Sequence, residues 1–190
     1  DASAYSYDDK GNRTAKRFSD DTVETYAYDS MLRLVQAKRR DGSQQSFTLD
    51  TRGNRTQLVD SAKPVAAQTT TASFNDANQL RTAQNPAVSY VYDANGNLTT
   101  KVEAGVTTTL TWNADNRLVG IAKPGYAYSA SYDVNGLRVA KTEQGVATGY
   151  LLDGASVLAE LDGSNAVTRS YLNNPQAIDD ILSFTEGSGT

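Results

Sequence analysis

One octet, Tyr90-Val91-Tyr92-Asp93-Ala94-Asn95-Gly96-Asn97, recurs in variant form along the whole chain. A motif repeated at a near-fixed period constrains a fold strongly, because every copy must solve the same geometric problem. The octet reads as strand, tight turn, strand. Its tyrosines are two apart, so on a strand they share a face. Asp93 and Gly96 are spaced as the first and last residues of a type I turn. The Asp carboxylate accepts backbone N–H bonds just ahead of it, and Gly enters the left-handed region at little steric cost.

The first copy is Tyr5-Ser6-Tyr7-Asp8 with Gly11-Asn12-Arg13, and the second is Tyr26-Ala27-Tyr28-Asp29 with Leu32 in the glycine slot. Phe47-Thr48-Leu49-Asp50 with Gly53 is the third, and Phe74-Asn75 with Asn78 is a degenerate fourth. After the octet itself come Trp112-Asn113 with Asn116, then Tyr132-Asp133 with Gly136, then Tyr150-Leu151-Leu152-Asp153, whose turn Gly154-Ala155-Ser156 departs from the pattern. A ninth aromatic strand is expected around Tyr171. The anchors Asp8, Asp29, Asp50, Asn75, Asp93, Asn113, Asp133 and Asp153 are separated by 21, 21, 25, 18, 20, 20 and 20 residues. The long gap holds Ser61-Ala62-Lys63-Pro64, a breaker expected to form a loop.

Between anchors, short return strands end at turn signals such as the hairpin dipeptide Asp41-Gly42, Ala104-Gly105, Pro124-Gly125, Gln144-Gly145 and Asp162-Gly163-Ser164. Helical periodicity is nearly absent. Asn174-Pro175 to Leu182 is the one stretch expected to start a helical turn. The predicted fold is all-β: repetitive antiparallel hairpins, two strands per ~20 residues, in a curled sheet. Hydrophobic content of 38% is low for a compact globule and suits a sheet with one covered and one wet face. The domain reading is a repeat segment over residues 1–172 and a tail over 173–190. Open sheet edges are expected to find other parts of a parent protein, or to associate edge to edge.

Net charge is −4 with no basic stripe, which argues against nucleic acid. The chain has no Cys and no His, which removes thiolate chemistry, disulfides and the commonest acid–base group. No apolar run approaches the ~18 residues of a membrane span. No signal peptide is visible, and the chain reads as an excised segment of something longer.

The motif Tyr-x-Tyr-Asp-x-x-Gly-Asn-Arg/Leu at this period resembles the YD repeat of the RHS family. The tail, from Tyr150 to Gly163, then Val167 to Tyr171 and Ile178 to Leu182, resembles the stretch leading into the RHS core-associated region. That family includes bacterial polymorphic toxins, toxin-complex C subunits, wall-associated contact-dependent toxins and the teneurin receptors. The resemblance implies a spiralling hollow β-shell around a C-terminal toxin domain, in a secreted or cell-surface protein. The family's self-cleaving Asp-Pro motif is not matched at Asn85-Pro86 or Asn174-Pro175, so no catalytic residue carries over.

The same residues bear on other chemistries. Asp93, Asn95 and Asn97 have the alternating oxygens of a calcium loop, but lack the downstream carboxylates. Asp8-Asp9, Asp20-Asp21 and Asp179-Asp180 are adjacent in sequence, so on a strand they face opposite ways and do not form an acid–base couple. Asn12, Asn54 and Asn97 head formal glycosylation sequons that the repeat itself explains. The tyrosine ladder is read as cross-strand packing, with a glycan platform as the alternative. No His is present for a triad, and a Ser-Lys pair has no marker. The expected role is a non-catalytic wall, with no cofactor or metal; the alternatives are an adhesion or carbohydrate-binding module and, more weakly, an enzyme domain.

Overall fold

The computed structural model describes residues 3–174 and 181–187. Its contacts divide the chain into two units, Asp1–Tyr90 and Val91–Thr190. Both are antiparallel meanders, in which each strand pairs with its sequence neighbour. The first holds β1 (Ala4–Tyr7), β2 (Arg13–Arg17), β3 (Val23–Tyr28), β4 (Leu34–Lys38), β5 (Gln44–Leu49), β6 (Arg55–Asp60), β7 (Thr69–Phe74) and β8 (Leu80–Gln84), and ends within β9 (Val88–Tyr92). The second runs from the end of β9 through β10 (Leu98–Glu103), β11 (Val106–Trp112), β12 (Leu118–Lys123), β13 (Tyr126–Tyr132), β14 (Arg138–Glu143), β15 (Val146–Asp153), β16 (Ser156–Leu161), β17 (Val167–Asn173) and β18 (Ile181–Glu186). The expected strand at Tyr171 is β17. Residues 175–180, most of the expected helical turn, lie outside the described residues, and Ile181 and Leu182 at its end are strand. The Ser61–Pro64 breaker is a loop that closes with a 3-10 turn, Val65–Ala67.

The anchored loops share one geometry. Gly11 N–H donates to the Asp8 carbonyl at 3.1 Å, and Asp8 N–H donates to the Asn12 carbonyl at 2.9 Å. The same two bonds close loops 29–33, 50–54, 75–79, 93–97, 113–117, 133–137 and 162–166. This is a type I turn whose fourth residue is left-handed and forms a bulge. That fourth residue is Gly11, Leu32, Gly53, Asn78, Gly96, Asn116, Gly136 or Asn165, with φ between 59° and 91°. The bulge shifts the register one residue before the anchor, so Tyr7 pairs with Arg13, Tyr28 with Leu34, Trp112 with Leu118 and Tyr132 with Arg138.

The opposite loops differ between the units. In the first, loops 18–22 and 39–43 repeat the five-residue geometry, with Asp21 and Gly42 left-handed. Asp41-Gly42 is therefore the end of a longer loop, not the two-residue turn its dipeptide suggests. In the second unit, Ala104-Gly105 and Gln144-Gly145 are two-residue turns with both φ values positive, as type I′ requires. At Asp162 the left-handed residue is Asn165 rather than Gly163.

Alternation then sorts side chains onto two faces. In the first unit, Tyr26, Ala37, Gln45 and Asp60 lie side by side across four strands, and Phe47, Leu58 and Thr70 across three. Ala72, Ala83 and Val88 continue that aromatic face. The reverse face carries Ala27, Gln36, Ser46, Val59 and Thr69. In the second unit, Leu110, Ile121, Tyr128 and Glu143 share the aromatic face. Its reverse shows Thr111, Gly120, Ser129, Thr142 and Ala147. Among the described residues no large side chain is fully buried, and the buried apolar ones are Val88 and Ala159. The expected covered face is thus half-buried, its rings screened by their neighbours on adjacent strands.

The left-handed slot yields a paired test. Leu32 holds φ of +61° where Gly96 holds +89°, and an L side chain there costs about 1–2 kcal/mol. Chemical denaturation should show Gly96→Val losing about 1–2 kcal/mol and Leu32→Gly gaining about 1 kcal/mol. Equal midpoints for all three proteins would contradict the slot's geometry.

Candidate functional site

The recurring polar feature is the anchor at the head of each loop. Asp8 Oδ1 accepts the N–H of Lys10 at 3.0 Å and of Asn12 at 2.8 Å, while Oδ2 accepts the Asn12 side-chain amide at 2.9 Å. Asp50 and Asp93 repeat all three bonds with Arg52 and Asn54, and with Asn95 and Asn97. Asp29 does so with Met31 and Arg33, the third bond becoming an ion pair to the Arg33 guanidinium at 2.8 Å. Asn75, Asn113 and Asp133 keep the two backbone bonds. One oxygen that serves two N–H groups is enough to fix the loop, which is why Asn replaces Asp here without loss of shape.

Successive anchors are strapped together. Within the first unit, Arg33 Nη1 donates to the Asp50 carbonyl at 2.7 Å, and Asn54 Nδ2 to Asn78 Oδ1 at 3.0 Å. Within the second, Asn97 and Asn95 donate to Asn116 Oδ1 at 2.7 and 3.1 Å. Their amide nitrogens therefore turn toward a neighbouring loop, and the carboxylate of Asp93 is taken up by its own loop. At three anchors the aromatic residue just before the anchor makes a second strap. Tyr28 and Tyr132 hydroxyls donate to the carbonyls of Arg13 at 3.0 Å and Leu118 at 2.9 Å, and Trp112 Nε1 donates to Leu98 at 2.8 Å. Each of these carbonyls sits one hairpin upstream.

The other repeat residues fall on the same framework. Tyr5 and Tyr7 are exposed on β1, and Tyr90 is half-buried on β9. Gly53 and Gly136 fill the left-handed slot. Tyr150 faces Glu160 across β15 and β16. Asp153 heads a two-residue turn with Gly154 at φ +56° and has no five-residue loop. The box reappears instead at Asp162, which accepts from Ser164 and Ala166 N–H. Sequence reasoning passed over Asp162, although Asp162 and Asn165 repeat the spacing of Asn113 and Asn116. Asp60 was also missed. It is 5% exposed on the aromatic face, where Arg39 grips it at 2.9 and 3.0 Å, and Gln45 donates to it at 2.9 Å.

These carboxylates are hydrogen-bond acceptors, not proton donors. Bonds from Asn12, Asn54 and Asn97 hold Asp8, Asp50 and Asp93 below the ordinary value, and the backbone N–H of Arg33 does so for Asp29. The Arg39 guanidinium, then Gln45, hold Asp60 well below the carboxylate range. Among the described residues no cluster of three or more acidic, His or Cys side chains is placed to hold a metal.

A family model described as RHS Repeat matches residues 92–128. The structure described as "Crystal Structure of TcdB2-TccC3-TEV" shares the fold, with a TM-score of 0.70 at 13% identity over 97% of this chain and 11% of that one. The chain belongs to the RHS repeat family. The match takes in the anchored loops 93–97 and 113–117 and the Trp112 strap. The tRNA3(Ser)-specific nuclease WapA of Bacillus spizizenii is 36% identical over 165 residues, which is 84% of this chain and 7% of that protein. The tRNA nuclease WapA of Bacillus subtilis is 37% identical over 150 residues, 76% of this chain and 6% of that protein. This chain thus spans a small fraction of each curated relative.

Acid tests the anchors directly. Each shifted carboxylate keeps its charge to lower pH in the fold than in the unfolded chain, so the unfolded state takes up the proton first. The stability these groups add is whole above the ordinary value of 3.8 and is lost as pH falls through their folded values. With no His to titrate, thermal melting should be level from about pH 7 to about pH 5 and drop below about pH 4. Asp93→Asn, which copies Asn75 and Asn113, should melt near the parent at neutral pH and show a shallower acid drop. An unchanged acid slope would rule the anchor's charge out.

Proposed function

We propose that this chain is a non-catalytic stretch of wall in an RHS-type β-shell, exported or displayed at the cell surface, which encloses a C-terminal toxin or effector domain until delivery. The observation that carries this reading is a strap system that joins successive hairpins within each unit and, among the described residues, ends on loops and backbone carbonyls. The anchor carboxylates serve their own loops, and the Tyr28, Trp112 and Tyr132 polar tips bind backbone carbonyls. A sheet held in this way extends hairpin by hairpin, because each copy is stabilised chiefly by its neighbours. The partners that fit its open edges are further hairpins of the same protein. The small share of the WapA proteins that the chain spans leaves room elsewhere for the activity their names state. An adhesion or glycan-binding role would want ring faces and tips open to ligand, whereas several tips here are already bonded.

Enclosure is tested on a full-length protein that carries these repeats. The region C-terminal to them should resist limited proteolysis while the repeats are folded and become cleavable once they are melted or deleted. Cleavage at the same rate with and without the repeats would refute enclosure.

A further inference from the structure

Five residues after an anchor, the repeat places either Leu or Arg. Where it is Arg, at Arg13, Arg55 and Arg138, the side chain rises over the aromatic face. Arg13 lies 5.6 Å from the Tyr5 ring centre and 4.7 Å from that of Tyr26. Arg55 lies 5.9 Å from Phe47, and Arg138 lies 5.3 Å from Tyr150. All three residues are exposed, and none of the three has a carboxylate within ion-pair distance among the described residues. Arg17, Arg33, Arg39, Arg40, Arg52, Arg117 and Arg169 do pair with carboxylates. The ring-stacked slot is thus a place where the fold presents cations without neutralising them.

Two of these arginines stand at the rim of an apolar pit. In the first unit, Arg55 overlooks a pit of about 310 Å³ lined by Leu58, Ala72, Phe74, Leu80 and Ala83. In the second, Arg138 overlooks one of about 180 Å³ lined by Leu137, Tyr150, Leu152 and Val157. These volumes sit at or below the small end of ligand pockets, so each suits a side chain and not a cofactor. Arg138 Nη1 reaches the Tyr128 hydroxyl at 3.4 Å, and the other edge N–H groups of a planar guanidinium over a ring are open to a carboxylate.

We infer that the aromatic face holds extended polypeptide, with an apolar side chain in the pit and an adjacent carboxylate on the ring-stacked arginine. The chemistry recognised is an apolar residue next to Asp or Glu in an unfolded chain. Spaced single cations on an apolar face favour peptide over nucleic acid, whose affinity needs many phosphates neutralised together. The enclosed domain is the source of such a peptide if the wall reading holds, and only this identification rests on that reading. Peptide binding is measured on the present chain, whereas enclosure is measured on the full-length protein, so either can fail alone.

The probe is a fluorescein-labelled, unstructured Gly/Ser dodecapeptide with a central Phe-Glu-Leu-Glu, titrated with the full chain and read by anisotropy in about 50 mM salt. A twin carries Gln for Glu, and a third probe is a dodecathymidine single strand. The acidic peptide should bind at least about tenfold tighter than its Gln twin, and the margin should vanish at about 1 M salt. Arg55→Gln and Arg138→Gln, checked for folding by circular dichroism, should each narrow it. Equal binding of the two peptides, no binding of either, or tighter binding of the oligonucleotide would overturn the inference. These peptide comparisons are made on the parent chain and do not depend on any variant folding.

Discussion

A carboxylate or amide oxygen that accepts two backbone N–H bonds within four residues is the interaction on which this fold depends. In an isolated hairpin, a five-residue loop leaves N–H groups with no ladder partner. The anchor supplies one, and this fixes the loop, the bulge beside it and the register of both flanking strands. Register matters more here than in a globule, since a slip of one residue would carry every tyrosine to the other face. The fold has little buried core to correct such an error. Local polar chemistry therefore does the specifying that dense packing does elsewhere.

The straps carry local order from one hairpin to the next within each unit. Tyr28, Trp112 and Tyr132 each span one hairpin to a backbone carbonyl, and Arg33, Asn54 and Asn97 link loop to loop. Such links are nearest-neighbour terms, so stability within each unit is distributed as in other repeat arrays. Half-buried tyrosine suits this design, because its ring packs against adjacent strands while its hydroxyl reaches a partner. Asp60 is the exception on the aromatic face: a nearly buried charge, tolerated because Arg39 grips both of its oxygens.

The repeat, the all-β class and the loop positions were legible in the sequence because type-preserving drift at a fixed spacing has few structural meanings. Leu32 illustrates this. Propensity alone would never place leucine in the left-handed region, yet its position in the period does, and its φ is +61°. What stayed hidden depended on context that spacing does not carry. Asp41-Gly42 and Asp162-Gly163 look like short hairpin turns, but the closing bonds join Arg39 to Ser43 and Asp162 to Ala166, which leaves three residues between them. Asp60 and Arg39 are twenty-one positions apart, and only the pairing of β4, β5 and β6 brings them together. Arg13, Arg55 and Arg138 share one repeat slot, but that they lie over rings without a carboxylate partner, while Arg40, Arg117 and Arg169 lie over rings with one, is visible only in three dimensions.

Hydrogen exchange read by mass spectrometry on the parent and on Asp50→Ala tests the anchor's role most directly. Faster exchange is predicted for the amides of Arg52 and Asn54, for β5 and β6, and to a lesser degree for the adjoining β4 and β7, fading by β2. Unchanged exchange in loop 50–54, or an equal rise through every strand of the first unit, would show that something other than the anchors holds the hairpins in register.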